Sequence, residues 1–200
     1  MIWLAALLLI QTPALPGDAA SSSNAVQDEL DLSQGRDRER PEARLDRRLE
    51  DLRNAETEQA AEPIAEEIRS MWRQSGGATA NLLLARGQEA REAGDLTTAA
   101  RQFTHLRRLE PEFADAWLAS AQIAASQGDW PFALEAVERA IALEPRRFDA
   151  YALLGRALEQ AEAWPAAQAA YEEALQVYPL MPAARAGLAR VERQLSGRAL

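Results

Sequence analysis

The chain has 200 residues, enough for one domain or one domain with an appendage, and its 48 % hydrophobic and 26 % charged residues make it globular. Cysteine and lysine are both absent, which excludes disulfides, zinc–thiolate sites, thiol catalysis and Schiff-base chemistry. A formal net charge of −9 argues against nucleic acid as a partner, and a sequence rich in alanine and poor in β-branched residues excludes an all-β fold.

Residues 3–10 (WLAALLLI) are continuously apolar. As a helix they span roughly 12 Å, far short of a bilayer core of about 30 Å, so no stable membrane span is expected. They have the length of a secretory h-region, and small residues follow at Ala14, Gly17, Ala19 and Ala20. Residues 1–20 therefore read as a signal peptide, which implies a periplasmic or secreted protein. The alternative is tethering to an inner membrane through an uncleaved N-terminus. Residues 21–41 mix Ser, Asp, Gly and Arg without a sustained period and read as a flexible linker.

Residues 42–77 read as a helical hairpin. Leu45, Leu49 and Leu52 share one face of a helix over 42–61, which Pro63 ends. Pro63 then suits the first turn of a second helix, whose apolar stripe is Ile64, Ile68, Met71 and Trp72. Ser75-Gly76-Gly77 stops it.

A strict period follows. Pro111, Pro145 and Pro179 stand at equal intervals. Other columns keep the register: Ala99, Ala133 and Ala167; Gly87, Ala121 and Gly155; Leu83, Trp117 and Tyr151; Phe103, Val137 and Tyr171; Leu106, Ala140 and Ala174; Leu96, Trp130 and Trp164. Small residues in two of these columns let paired helices approach closely, and the bulky columns fill the space between units. Gly94 and Gly128 are placed to end first helices, and Asp129-Trp130-Pro131 to start a second helix with a cap and an early proline. Ala163-Trp164-Pro165 lacks the capping aspartate. Residues 182–195 form a last helix with Leu188, Val191 and Leu195 on one side and arginines on the other, as a capping helix requires. Residues 196–200 are a tail.

A 34-residue unit with these columns resembles the tetratricopeptide repeat, a helix–turn–helix module. The resemblance implies an all-α, right-handed superhelical stack of three repeats at 80–113, 114–147 and 148–181, between the N-terminal hairpin and the C-terminal cap. Together with the Trp72-Arg73-Gln74-Ser75-Gly76 segment and the apolar start, the arrangement resembles secreted alphaproteobacterial members of that family. First helices then line a concave groove and carry Asn81, Gln88, Asp115, Gln122, Asp149 and Arg156 toward it, with Arg91, Ser126, Glu159 and Gln160 one turn further along. Such side chains suit an extended peptide of roughly six to nine residues. The lysine–asparagine clamp that some members use on a C-terminal carboxylate has no lysine here and one candidate asparagine, Asn81. Arg146-Arg147, the concentrated positive spot of the repeats, either attracts an acidic group or pairs with Asp149 and Glu144.

No enzyme is legible. The lone His105 sits beside Arg107 and Arg108 with no plausible serine in its helix, and Glu172-Glu173 point apart by about 100° on a helix. No cofactor and no metal are expected. The resulting expectation is a non-catalytic module of the cell envelope, monomeric or weakly self-associating, that binds a peptide segment of a partner protein. The alternative is a structural protein that self-associates through the hairpin or an edge of the stack.

Overall fold

The structure, a computed structural model, describes residues 40–74 and 77–198. The expected signal peptide (1–20) and nearly all of the linker (21–41) lie outside the described residues, as do the last two residues of the tail.

All regular structure among the described residues is α-helical. The helices are α1 (Pro41–Arg53), α2 (Glu58–Arg73), α3 (Ala78–Glu92), α4 (Leu96–Leu109), α5 (Ala114–Gln127), α6 (Trp130–Leu143), α7 (Phe148–Gln160), α8 (Trp164–Val177) and α9 (Pro182–Arg198). The pairs α3–α4, α5–α6 and α7–α8 are three helix–turn–helix units, each packed on the next, with α9 closing the far end against α8. They form a right-handed superhelical stack. The last helix continues to Arg198, beyond the sequence-based end at 195.

The hairpin turn lies earlier than Pro63. Helix α1 stops at Arg53, and Thr57 caps α2 by accepting a hydrogen bond on its hydroxyl from the Ala60 N–H at 3.2 Å. Pro63 sits inside α2. It lies on the exposed face with Gln59, so the carbonyl that loses its N–H partner is on the solvent side. The buried stripe of α2 is Ala61, Ala65, Ile68 and Trp72, while Ile64 and Met71 are only half-buried.

Two sequence columns prove to be partners. A Cβ built on Gly87 would collide with the Phe103 ring, and one on Gly155 would lie 2.8 Å from the Tyr171 ring. In the middle unit the small residue is Ala121, and the facing bulky column shrinks to Val137; both are fully buried in one cluster. The sum of the two side chains is thus held nearly constant, as close packing demands. Tyr171 is also roofed by α9, since a Cβ on Gly187 would run into its ring.

The turns inside the units follow the same logic with one exception. Gly94 and Gly128 adopt φ +79°, and the next residue caps the following helix: Asp95 accepts from the Thr98 N–H at 2.9 Å and Asp129 from the Phe132 N–H at 3.3 Å. In the third unit Glu162 is forced into φ +54°, and Ala163 supplies no cap.

Two measurements test this packing. Glu162→Gly with Ala163→Asp should raise unfolding stability by about 1–2 kcal/mol, read from the urea midpoint, because a strained left-handed residue is relieved and a cap restored. Gly87→Ala should destabilise by about 1–3 kcal/mol through overpacking, and Phe103→Val added to it should cost less than the two singles summed. Strict additivity would show that the two columns do not touch.

Candidate functional site

The first helices α3, α5 and α7 bring equivalent positions of the repeat to one side of the stack. Six of the nine candidate residues, Gln88, Arg91, Asp115, Gln122, Arg147 and Asp149, line a single pocket of about 450 Å³. The far wall of that pocket is Glu66, Arg69 and Arg73, all from α2. The flank that sequence reading leaves open is therefore partly occupied by the chain itself.

The occupied part lies where the third unit begins. Trp72 of α2 packs on Phe148 at 5.3 Å between ring centroids, and Phe148 meets Tyr178 edge-on at 5.4 Å. Arg69 lies over the Phe148 ring at 5.4 Å. Helix α2 continues outward along the stack: the Tyr178 hydroxyl donates to Glu62 at 3.2 Å, and Arg185 of α9 donates to Glu58 at 3.1 Å. Leu45, Leu49 and Leu52 of α1 join the same buried cluster as Ile68, Trp72, Phe148, Tyr171 and Val191.

Beneath Trp72 is a charged floor. The Arg147 guanidinium, 2 % exposed, lies 4.6 Å from the Trp72 ring. It donates to Asp115 at 2.6 Å and to Asp149 at 2.9 and 3.1 Å. Burial pushes the Asp115 carboxyl above the ordinary carboxylate range, although Arg147 pulls the other way. Burial opposes charge on Arg147 too, but the two aspartates outweigh it and hold the guanidinium pKa above its usual value. Asp115 and Asp149 stand at the same position of successive units. They act here as a clamp for one arginine.

The other candidates are dispersed. Arg146 is bound by Glu144 at 2.7 and 2.8 Å and also donates to Asp46 of α1. Of the two roles open for Arg146-Arg147, internal pairing with Glu144 and Asp149 is the one the structure displays. Arg156 is exposed and stacks 5.3 Å from the Trp130 ring, outside the pocket. Asn81 is half-buried, and its Oδ1 is buried without a hydrogen-bond partner. His105 is exposed on α4 beside Arg101 and Arg108. Among the described residues no group of three or more His, Asp or Glu is arranged to hold a metal ion.

What remains open is bounded by α2, α3 and α5. Arg91 reaches from α3 to donate to the Gln122 Oε1 on α5 at 2.7 Å, so one pair spans two units. Arg73 and Arg69 face it from α2, partly neutralised by Glu66. The residues that sequence reasoning missed are those of α2. A signal for them exists in the register: Ala80 and Ala114 stand where the third unit has Phe148, the ring on which Trp72 sits.

The tetratricopeptide repeat model matches residues 84–131, 127–167 and 153–198. A TPR repeat-containing protein of Rhizobium etli is 29 % identical over 109 residues, which are 54 % of this chain and 50 % of that protein. The chain thus spans about half the length of that curated relative. Among solved structures, the first TPR of Spaghetti bound to an HSP90 peptide superposes with a TM-score of 0.59 at 20 % identity, covering 60 % of this chain and 96 % of that one. The Sgt2 TPR domain from Aspergillus fumigatus gives 0.59 at 20 % identity, covering 62 % and 83 %. The TPR2B domain of yeast Sti1 in complex with an Hsp70 peptide gives 0.55 at 19 % identity, covering 59 % and 99 %. Periodic prolines, paired small and bulky columns, a right-handed stack and a family model matched across more than half of the sequence converge: the chain belongs to the tetratricopeptide repeat family.

Proposed function

We propose that the chain is a non-catalytic protein-interaction module of the cell envelope that takes a peptide segment of a partner in the open part of its groove. The observation that carries this reading is the polar pocket between α2, α3 and α5, floored by paired charges and crossed by the Arg91–Gln122 bond. Its donors and acceptors suit the backbone and polar side chains of an extended segment. Two solved structures of the same fold hold HSP90 and Hsp70 peptides, which supports the assignment by analogy. Because the C-terminal part of α2 walls the pocket, the open site spans about two helices, α3 and α5, roughly 10–20 Å, or ~3–6 extended residues. That is shorter than the six to nine residues a fully open groove would take.

Catalysis has no support in the paired carboxylates of the pocket: Glu66 is tied to Arg69 and Arg73, and Asp115 and Asp149 to Arg147. The envelope location rests on residues 1–20 and on the resemblance to secreted members of the family.

The test uses a photo-crosslinking residue at Gln122 in intact cells to identify the partner, followed by Arg91→Glu. Arg91 is exposed, so the substitution should leave the thermal melt unchanged. It should lower recovery of the crosslinked partner at least tenfold. Undiminished recovery removes the groove from consideration.

A further inference from the structure

Repeat stacks bury each unit on its neighbours in sequence. Helix α2 breaks that rule. It precedes the first unit in the chain, yet Ala61, Ala65, Ile68 and Trp72 belong to one buried cluster with Phe148, Tyr178 and Ala184 at the far end of the stack. It lies on the first-helix side, with its C-terminal end forming the wall of the open pocket. A helix in that place occupies the ground a ligand would take.

Its seat is chemically ambivalent. The apolar stripe holds it down, but Trp72 covers Arg147, a buried guanidinium held between the Asp115 and Asp149 carboxylates. Such a group is costly to keep from water, and it regains hydration when its cover leaves. The outer contacts, Glu58 with Arg185 and Glu62 with Tyr178, involve exposed carboxylates that exchange readily for water. Departure of α2 is thus partly compensated by the floor it uncovers.

We propose that α2 is a displaceable internal occupant of the groove, and that an amphipathic helix of the same chemistry on a partner competes for its seat. That helix carries an apolar stripe ending in an aromatic ring for Phe148 and Arg147, with carboxylates at its start for Arg185 and Tyr178. The proposal rests on the reading of the groove as the partner site and extends that site onto the ground that α2 covers.

The probe is a fluorescein-labelled peptide of residues 58–74, titrated into the full chain and read by anisotropy. Bound to the parent chain it must displace a tethered copy of itself. Trp72→Ala in the chain should tighten its binding at least tenfold, and the same substitution in the peptide should abolish capture. Glu58→Arg with Glu62→Arg in the chain sets like charge against Arg185 and removes the partner of Tyr178. Both sites are exposed, so this variant loosens α2 without opening a cavity and should also tighten peptide binding. Failure of both variants to tighten binding overturns the proposal. Partner capture by Arg91→Glu is scored separately, so the groove reading and the displacement reading can fail independently.

Discussion

The distance between the two helices of each unit is the constraint on which the molecule depends. It is set by contact between one small residue and one bulky residue, Gly87 with Phe103, Ala121 with Val137 and Gly155 with Tyr171. Because the pair recurs at the same place in every unit, the helices stay in step and the first helices fall on one side. A groove is the geometric consequence. The same pairing explains why an alanine-rich chain with few aromatics makes a firm core: alanines bring backbones close, and a few bulky side chains in each unit fill what remains. In the last unit the ring is shared, since Tyr171 lies against both Gly155 and Gly187. Its hydroxyl donates to Glu159, which also accepts from Arg190 of α9, so the cap is fixed to the stack by packing and by charge.

The groove and the hairpin draw on the same residues. Asp115 and Asp149 face the concave side because their register places them there, and each would suit a ligand's donor. The chain gives them Arg147 instead and covers that guanidinium with its own Trp72. Arg146 is committed in the same way, to Glu144 and to Asp46 of α1. Side chains that would answer a partner at the junction of the second and third units therefore hold the hairpin in place. Gln88, Arg91 and Gln122 line the pocket that stays open, and the C-terminal part of α2 walls it.

The repeats are legible because they are written in a period. Prolines at 111, 145 and 179 and the small columns state the unit length, and the glycine–aspartate pairs at 94–95 and 128–129 state its turn. The hairpin is legible only as two helices. Sequence puts its turn at Pro63 because a proline is a stronger written signal than a threonine cap, although Pro63 is accommodated on the exposed face of α2. Its docking place is not legible at all. Nothing in a local pattern says that Trp72 meets Phe148, with two whole repeats between them in the chain. The nearest hint is compositional, a ring at position 148 where the two earlier units carry alanine. Candidate residues read from register, such as Gln88 and Gln122, come together in one pocket, whereas Arg156 does not because Trp130 offers its guanidinium a stacking surface.

The absence of lysine also has a physical reading that composition alone does not supply. Arg107 is half-buried between Trp117 and Phe132, with its guanidinium carbon 4.9 Å from each ring centroid. Arg147 stacks on Trp72, Arg69 on Phe148 and Arg156 on Trp130. In each case the cation is part of the packing between elements that are separate in sequence. A planar, weakly hydrated guanidinium can lie flat on a ring and still donate sideways to a carboxylate, as Arg147 does to Asp115 and Asp149. A lysine ammonium is a compact, strongly hydrated charge and would have to give up one role to fill the other. With few rings available, the chain uses arginine faces as flat surfaces between helices, and the seat of α2 is the place where that device and the groove coincide.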